Sequence, residues 1–248
     1  MTVHFIGAGP GAADLLTVRA VRLLQTSPVC LYAGTYLDTE VLAHCAPGTT
    51  LVDSQHLDLD QIVEHLRAAH EAGHDVARLC SGDPSLYSAL AEQTRRLDRL
   101  GIPWDVTPGV PAYAAAAAVV GRELTVPEVA QSVVLTRTHA ASTAMPERES
   151  LAAFAATRAT LALHLAIRRT RPVCAELATE YGEACPVVVV AHASRPGQVV
   201  LRGTLADMAD QVEAAGLRQA AVILVGEALR AEEFVESHLY GPRVRAGH

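Results

Sequence analysis

The stretch FIGAGPGAADLLT, residues 5–17, reads as a buried strand that enters a glycine-rich turn and then a helix. Its Gly7-x-Gly9-x-x-Ala12 core satisfies the GxGxxG/A dinucleotide fingerprint. That fingerprint works only with an acidic residue about 20 positions on, at the end of the second strand, to hold the ribose hydroxyls. Here the second strand ends YAGTY (32–36), and the nearest acid, Asp38, already lies in the following loop. Pro10 occupies the turn, and Asp14 and Thr17 put polar groups where a closely packed helix start is small and apolar. Two readings stay open at this point: a nicotinamide or flavin site, or a tight turn whose glycines serve another purpose.

Outward from this stretch, strands and helices alternate. VHFIG (3–7) and VCLYA (29–33) read as short buried strands, with the helical pattern TVRAVRLLQTS between them. DVARLC, PWDVT, SVVLTR, ATLALHLA, PVVVVAHAS, QVVLRG and AAVILVGEAL read as further strands. QIVEHLRAAHEAG, SLYSALAEQTRRLDRLG, AYAAAAAVVG, SLAAFAAT, PVCAELATEYG and TLADMADQVEAAG read as helices, with Pro84 at the first turn of the second. This alternation predicts α/β layers and disfavours a sandwich or bundle. GRELTVPE (121–128) breaks both periodicities and is a candidate linker. The expected organisation is two α/β domains, residues 1–120 and 125–232, with a charged tail after Arg230 ending in disorder.

Half of the 248 residues are hydrophobic and few are aromatic, so Ala, Val and Leu must fill the cores. No apolar run reaches the roughly 18 residues of a membrane span, and MTVHF lacks the features of a signal peptide. A cytoplasmic location without membrane contact is expected. The five cysteines (Cys30, Cys45, Cys80, Cys174, Cys185) are widely spaced without a CxxC pair and read as reduced thiols. A formal charge of -7 argues against a nucleic-acid partner. It leaves room for an acidic small molecule held by a few local arginines.

Three more loops stand at the carboxyl ends of expected strands: YAGT (32–35), SGDPS (81–85) and TPGVPA (107–112). Ligands of open α/β sheets bind at that edge. Asp83 supplies an acceptor there, although capping the following helix is an equally natural role for it, and Pro108-Gly109 also suits a plain turn. Four such loops in one half of a chain point to a built site.

With VHFIGAGPGAADLLTVRA, LYAGT, LCSGDPSLYSAL and VTPGVPAYAAAAAVVGREL in the first half, and PEVAQSVVLTR, MPERESL, TLALHL, CPVVVVAHAS and LRGTL in the second, the chain resembles the tetrapyrrole (corrin/porphyrin) methyltransferase family. The likeness runs from Val3 to about Leu229. It implies two α/β domains with an interdomain cofactor cleft, S-adenosylmethionine as methyl donor (S-adenosylhomocysteine as product), a tetrapyrrole substrate and a homodimer. It also implies that Pro10, Gly82, Asp83, Pro111, Ala112, Leu165 and Val188 contact the cofactor. Pro111 stands where the family usually has a hydroxyl residue, which removes any side-chain hydrogen bond from that position. Gly9 and Gly11 belong to the loop along the substrate. Arg19 and Arg137 are candidates for its carboxylates, with solvated surface arginines as the plain alternative.

Methyl transfer from a sulfonium needs alignment and exclusion of water more than a covalent nucleophile. No GxSxG and no recognisable nucleophile setting occurs, and no catalytic side chain is assigned. His139 is a possible donor to a carboxylate. His70 and His74, at i and i+4, lack a third ligand and read as surface histidines, so no metal site is expected. His164, flanked by Leu163 and Leu165, reads as a partly buried strand residue, and Tyr87 as a helix-packing residue. The alternatives are another branch of the family, an oxidoreductase using the opening glycines, or a binding module without catalysis, which Pro111 alone suggests.

Overall fold

The computed structural model describes residues 1–34, 37, 39–138, 144–232 and 234–235. Thr35 of YAGT, Asp38, His139 and the end of the charged tail lie outside the described residues. Two compact units emerge, Met1–Ala115 with His192–Gly197, and Ala116–Ala191 with the chain from Gln198 on.

In the first unit β1 (Val3–Gly7), β2 (Val29–Tyr32), β3 (Thr50–Asp53), β4 (Val76–Cys80) and β5 (Trp104–Thr107) form one sheet in the order β3-β2-β4-β1-β5. Every pairing in it is parallel, with β1 and β4 in register from Val3 opposite Val76 to Gly7 opposite Cys80. A parallel sheet is covered on both faces, so alternate residues feed two cores. Val3, Phe5, Leu31 and Val76 pack with Leu66 and Leu97 on one face. Ile6, Cys30, Ala77 and Leu79 pack with Ala20 and Leu24 on the other.

The helices of this unit are α1 (Val18–Thr26), α2 (Thr39–Leu42), α3 (Leu59–Glu71), α4 (Leu90–Leu100) and the first turn of α5 (Ala112–Val120). Thr17 caps α1 by accepting from the Ala20 amide. Asp58 and Gln61 form a reciprocal capping box on α3, worth about 1 kcal/mol, and Val63, Leu66 and Ala69 form its buried stripe.

Two features depart from the sequence reading. β3 and α2 were not expected, because β3 is an edge strand whose Leu51 is exposed and no apolar run marks it. Helix α4 starts at Leu90 and not in SGDPS, since Tyr87 and Ala89 both adopt left-handed backbone (φ 55° each).

The second unit holds β6 (Val133–Arg137), β7 (Thr160–His164), β8 (Pro186–Ala191), β9 (Val199–Thr204) and β10 (Ala221–Val225), in the order β6-β7-β10-β8-β9. β6 and β7 are parallel; β10 runs antiparallel to β7 and β8, and β9 antiparallel to β8. With α6 (Leu151–Ala155), α7 (Thr170–Tyr181) and α8 (Met208–Ala214), one face buries Leu161, Leu163, Val187, Val189, Ile223, Leu177 and Met208. Leu124 is buried as well, and its carbonyl accepts from the Thr160 hydroxyl at 2.8 Å. No helix among the described residues is long and apolar enough to cross a membrane.

Candidate active site

The loops after β1, β4 and β5 meet at the carboxyl edge of the first sheet. The Gly9 amide donates to the Gly82 carbonyl at 3.1 Å and the Gly82 amide returns a bond to the Gly9 carbonyl at 2.8 Å. Gly7 and Gly109 approach so closely that a Cβ on Gly109 would lie 2.3 Å from the Gly82 carbonyl oxygen and 2.7 Å from the Gly7 Cα. The glycines are therefore required by backbone packed on backbone.

Asp83 ties two of these loops together. Its Oδ2 accepts from the Gly109 amide at 2.8 Å, and its Oδ1 accepts from the Ser85 amide at 2.8 Å and from the Ser85 hydroxyl. Partial burial opposes ionisation, but these hydrogen bonds outweigh it and hold the carboxyl below its ordinary value. Asp53, at the end of β3, plays a parallel part for the YAG turn. It accepts from the Gly34 amide at 3.0 Å and the Gln55 amide at 2.9 Å, and the two bonds lower its pKa.

The remaining candidates of this unit fall around the same edge. Gly82 lies 3.7 Å, measured from where its Cβ would be, from the Ala112 amide and the Pro111 Cα. The Pro111 carbonyl accepts from Ala114 and Ala115, so this proline starts α5 with backbone alone. Pro10 is half-buried beside Gly9. Gly11 lies under the side chain of Arg195, and the next amide, Ala12, donates to the Ser194 hydroxyl at 3.1 Å. Arg19 is exposed on the first turn of α1.

This arrangement does not suit a dinucleotide. That chemistry aims a helix N-terminus at the pyrophosphate directly from the glycine turn. Here a 3-10 turn, Ala13–Leu15, intervenes and α1 begins only at Val18.

In the second unit Arg137 and His164 sit opposite each other at the carboxyl ends of β6 and β7. Arg137 donates to the carbonyls of Thr138 and Ala144, both at 3.3 Å. Burial lowers the pKa of His164, which favours a neutral imidazole. Leu165 follows with φ 54° and 67 % exposure, an apolar side chain held out on strained backbone. Such strain in a branched residue is a marker of functional positions. Val188 is buried in mid-strand, opposite Leu224 and Arg202.

Burial pushes the Cys174 and Cys185 thiols up to about 11 and raises Cys80 as well, so none of the three is a ready thiolate. Among the described residues no three His, Cys, Asp or Glu side chains converge as metal ligands do.

Sequence reasoning missed Asp53, the segment 192–197 with Ser194 and Arg195, and the buried pair Arg78 and Gln93. Arg78 did leave a signal, a lone cation in the middle of the apolar strand VARLC. Arg78 is 7 % exposed, and its guanidinium donates to Gln93 Oε1 at 3.1 Å and to the Ser54 hydroxyl at 3.2 Å.

A family model described as Tetrapyrrole (Corrin/Porphyrin) Methylases matches residues 2–209. The chain is 56 % identical over 249 residues to the precorrin-4 C(11)-methyltransferase of Rhodococcus erythropolis, covering 100 % of both. A solved cobalt-precorrin-4 methyltransferase, CbiF, superposes with a TM-score of 0.90 at 36 % identity, covering 93 % of this chain and 96 % of that one. The uroporphyrin-III C-methyltransferase from Thermus thermophilus, solved with S-adenosylhomocysteine, gives 0.78 at 30 % identity, covering 93 % and 94 %. Glycine loops stacked at a carboxyl edge thus accompany a likeness that spans nearly the whole chain, and the chain belongs to the tetrapyrrole (corrin/porphyrin) methylases.

Proposed function

We propose that this chain is an S-adenosylmethionine-dependent methyltransferase that converts precorrin-4 to precorrin-5 by methylating carbon 11, a step of cobalamin synthesis. The observation that carries this reading is the convergence of the loops at 7–11, 81–85 and 107–112, whose missing Cβ atoms leave bare backbone at one sheet edge. The greater likeness to a precorrin-4 enzyme than to a cobalt-precorrin-4 enzyme favours a ring without cobalt as substrate.

When bound, S-adenosylmethionine supplies an activated methyl: its bond to sulfur breaks as the carbon–carbon bond forms, and the sulfonium becomes a neutral thioether. The protein's part is to align the two partners and keep water out. The family resemblance assigns the donor to Pro10, Gly82, Asp83, Pro111, Ala112, Leu165 and Val188. Gly9 and Gly11 carry the ring against the backbone, and Arg19 and Arg137 meet its carboxylates. Carbon 11 becomes quaternary, so no proton leaves that carbon; the positive charge that arrives with the methyl is balanced by loss of a proton elsewhere on the ring, for which a dedicated general base is optional. Asp83 fits that picture, because both its oxygens already hold loop amides and it serves as a brace. The active form is a homodimer, which sedimentation tests.

Calorimetry with S-adenosylhomocysteine should give binding in the micromolar range, with no heat from NAD or FAD. The opposite pattern overturns the reading. Incubation with precorrin-4 and methyl-labelled donor should then place one label on carbon 11, and a label on another ring carbon would assign the chain to a different branch.

A further inference from the structure

Between Asp83 and α4 the backbone takes an unusual course. Tyr87 and Ala89 are both left-handed (φ 55°), and Ala89 is the N-cap of α4 with no side-chain cap of its own. L side chains adopt that conformation at a cost, so something around the segment must hold it. Gln93 is that support. Its side-chain amide donates to the Ala89 carbonyl at 3.1 Å and reaches the Ser88 carbonyl at 3.5 Å. The Gln93 side chain is itself fixed, since Oε1 accepts from Nε of Arg78.

Arg78 is in turn anchored in the floor of the sheet. It donates to Ser54 and to the Leu79 carbonyl, and Ser54 donates through its amide and hydroxyl to the Tyr32 carbonyl at the end of β2. Within the segment the Ser88 hydroxyl donates back to the Pro84 carbonyl. A cation this deeply buried with neutral partners is an expensive device for capping one helix. Its effect is to lock residues 84–89 in a single shape.

That shape holds Tyr87 outward. Its side chain is 47 % exposed at the carboxyl edge, in a chain with only 4 % aromatic residues. The sequence reading of Tyr87 as a helix-packing residue does not hold, because the residue precedes the helix and is exposed. Resting on the function proposed above, we propose that Tyr87 is a specificity-determining residue that lays its ring on the tetrapyrrole, and that Gln93 and Arg78 are positioning residues that hold it there. A flat aromatic side chain suits a flat conjugated ligand, and a pre-set backbone removes the entropy of ordering it on binding.

Gln93→Glu is the informative variant. It keeps an acceptor for Arg78 but removes the donor to Ala89 and Ser88, so the core stays paired while the brace is cut. Amide hydrogen exchange within 84–89 should accelerate about 10-fold or more, with that of residues 94–100 unchanged. For Tyr87→Ala the KM for precorrin-4 should rise about 10-fold while S-adenosylhomocysteine affinity stays within about 2-fold; Tyr87→Phe should resemble the parent. Gln93→Glu should raise the same KM, and add little once Tyr87 is Ala.

Unchanged exchange in Gln93→Glu overturns the brace. Faster exchange with unchanged KM, or an unchanged KM in Tyr87→Ala, overturns the contact. The exchange measurement needs no substrate, and ring binding is read separately by absorbance titration with uroporphyrin III. If the parent binds this ring but fails to methylate precorrin-4, the assigned reaction falls, and weaker binding by Tyr87→Ala still supports the contact while equal binding overturns it.

Discussion

Asp83 is the residue on which the loops of the first unit most depend, because its two oxygens accept from Gly109 on one side and Ser85 on the other. Hydrogen bonds to a charged acceptor contribute about 1.5–3 kcal/mol. Asp83→Ala should therefore lower stability by about that amount and weaken S-adenosylhomocysteine binding about 10-fold or more, with circular dichroism unchanged. Unaltered affinity would mean that the loop it braces does not touch the cofactor. The same bonds set a pH dependence. Folding lowers the pKa of Asp83 and Asp53 below the ordinary 3.8, so their stabilisation is complete above that value. It is lost as pH falls through the lower, folded pKa values. Denaturant midpoints measured from pH 6 to pH 2 should fall below about pH 4, and by less in Asp83→Asn. The sequence marked Asp83 through its place in SGDPS but left open whether it caps a helix or meets a ligand. The structure shows a third role, a bridge to Gly109, which sequence proximity cannot reveal because the partner is 26 residues away.

Among the elements, the parallel strands of the first sheet decide where the glycines matter. Gly109 and Gly101 differ in kind: a Cβ on Gly109 meets backbone at 2.3 Å, whereas a Cβ on Gly101 at the end of α4 meets nothing within 4 Å, and its demand is only the φ of 67°. Gly101→Ala should cost about 1 kcal/mol in denaturant unfolding and leave ligand binding alone. Gly109→Ala should cost about 1–3 kcal/mol and also reduce S-adenosylhomocysteine affinity, since backbone must move apart. Equal effects of the two would argue that the glycine stack is ordinary turn geometry. The buried strands β1, β2 and β4 were legible as apolar runs, and α3 by the pattern of QIVEHLRAAHEAG, whereas its Asp58 cap came from the structure. The exposed edge strand β3 carries no such run, and the delayed start of α4 follows from the left-handed backbone of Tyr87 and Ala89, which no local pattern marks.

For the molecule as a whole, the chain order does not follow the units. Residues 192–197 follow β8 yet belong with the first unit, where Ser194 accepts from Ala12 and Arg195 covers Gly11. A fragment ending at residue 120 lacks both, so it should unfold at lower denaturant than the full chain and with a broader transition, as followed by circular dichroism. A fragment as stable as the full chain would show that the segment contributes nothing. What the sequence by itself determined was the α/β alternation, the family and the loops at 7–11, 81–85 and 107–112, because periodicity, turn chemistry and motif order are all local along the chain. What only the tertiary structure decided was how those loops fit together: the strand order that brings Gly7, Gly82 and Gly109 into contact, and the Arg78–Gln93 brace behind residues 84–89. Each of these depends on groups distant in sequence approaching to within a hydrogen bond or less, and no local pattern of residues encodes such a distance.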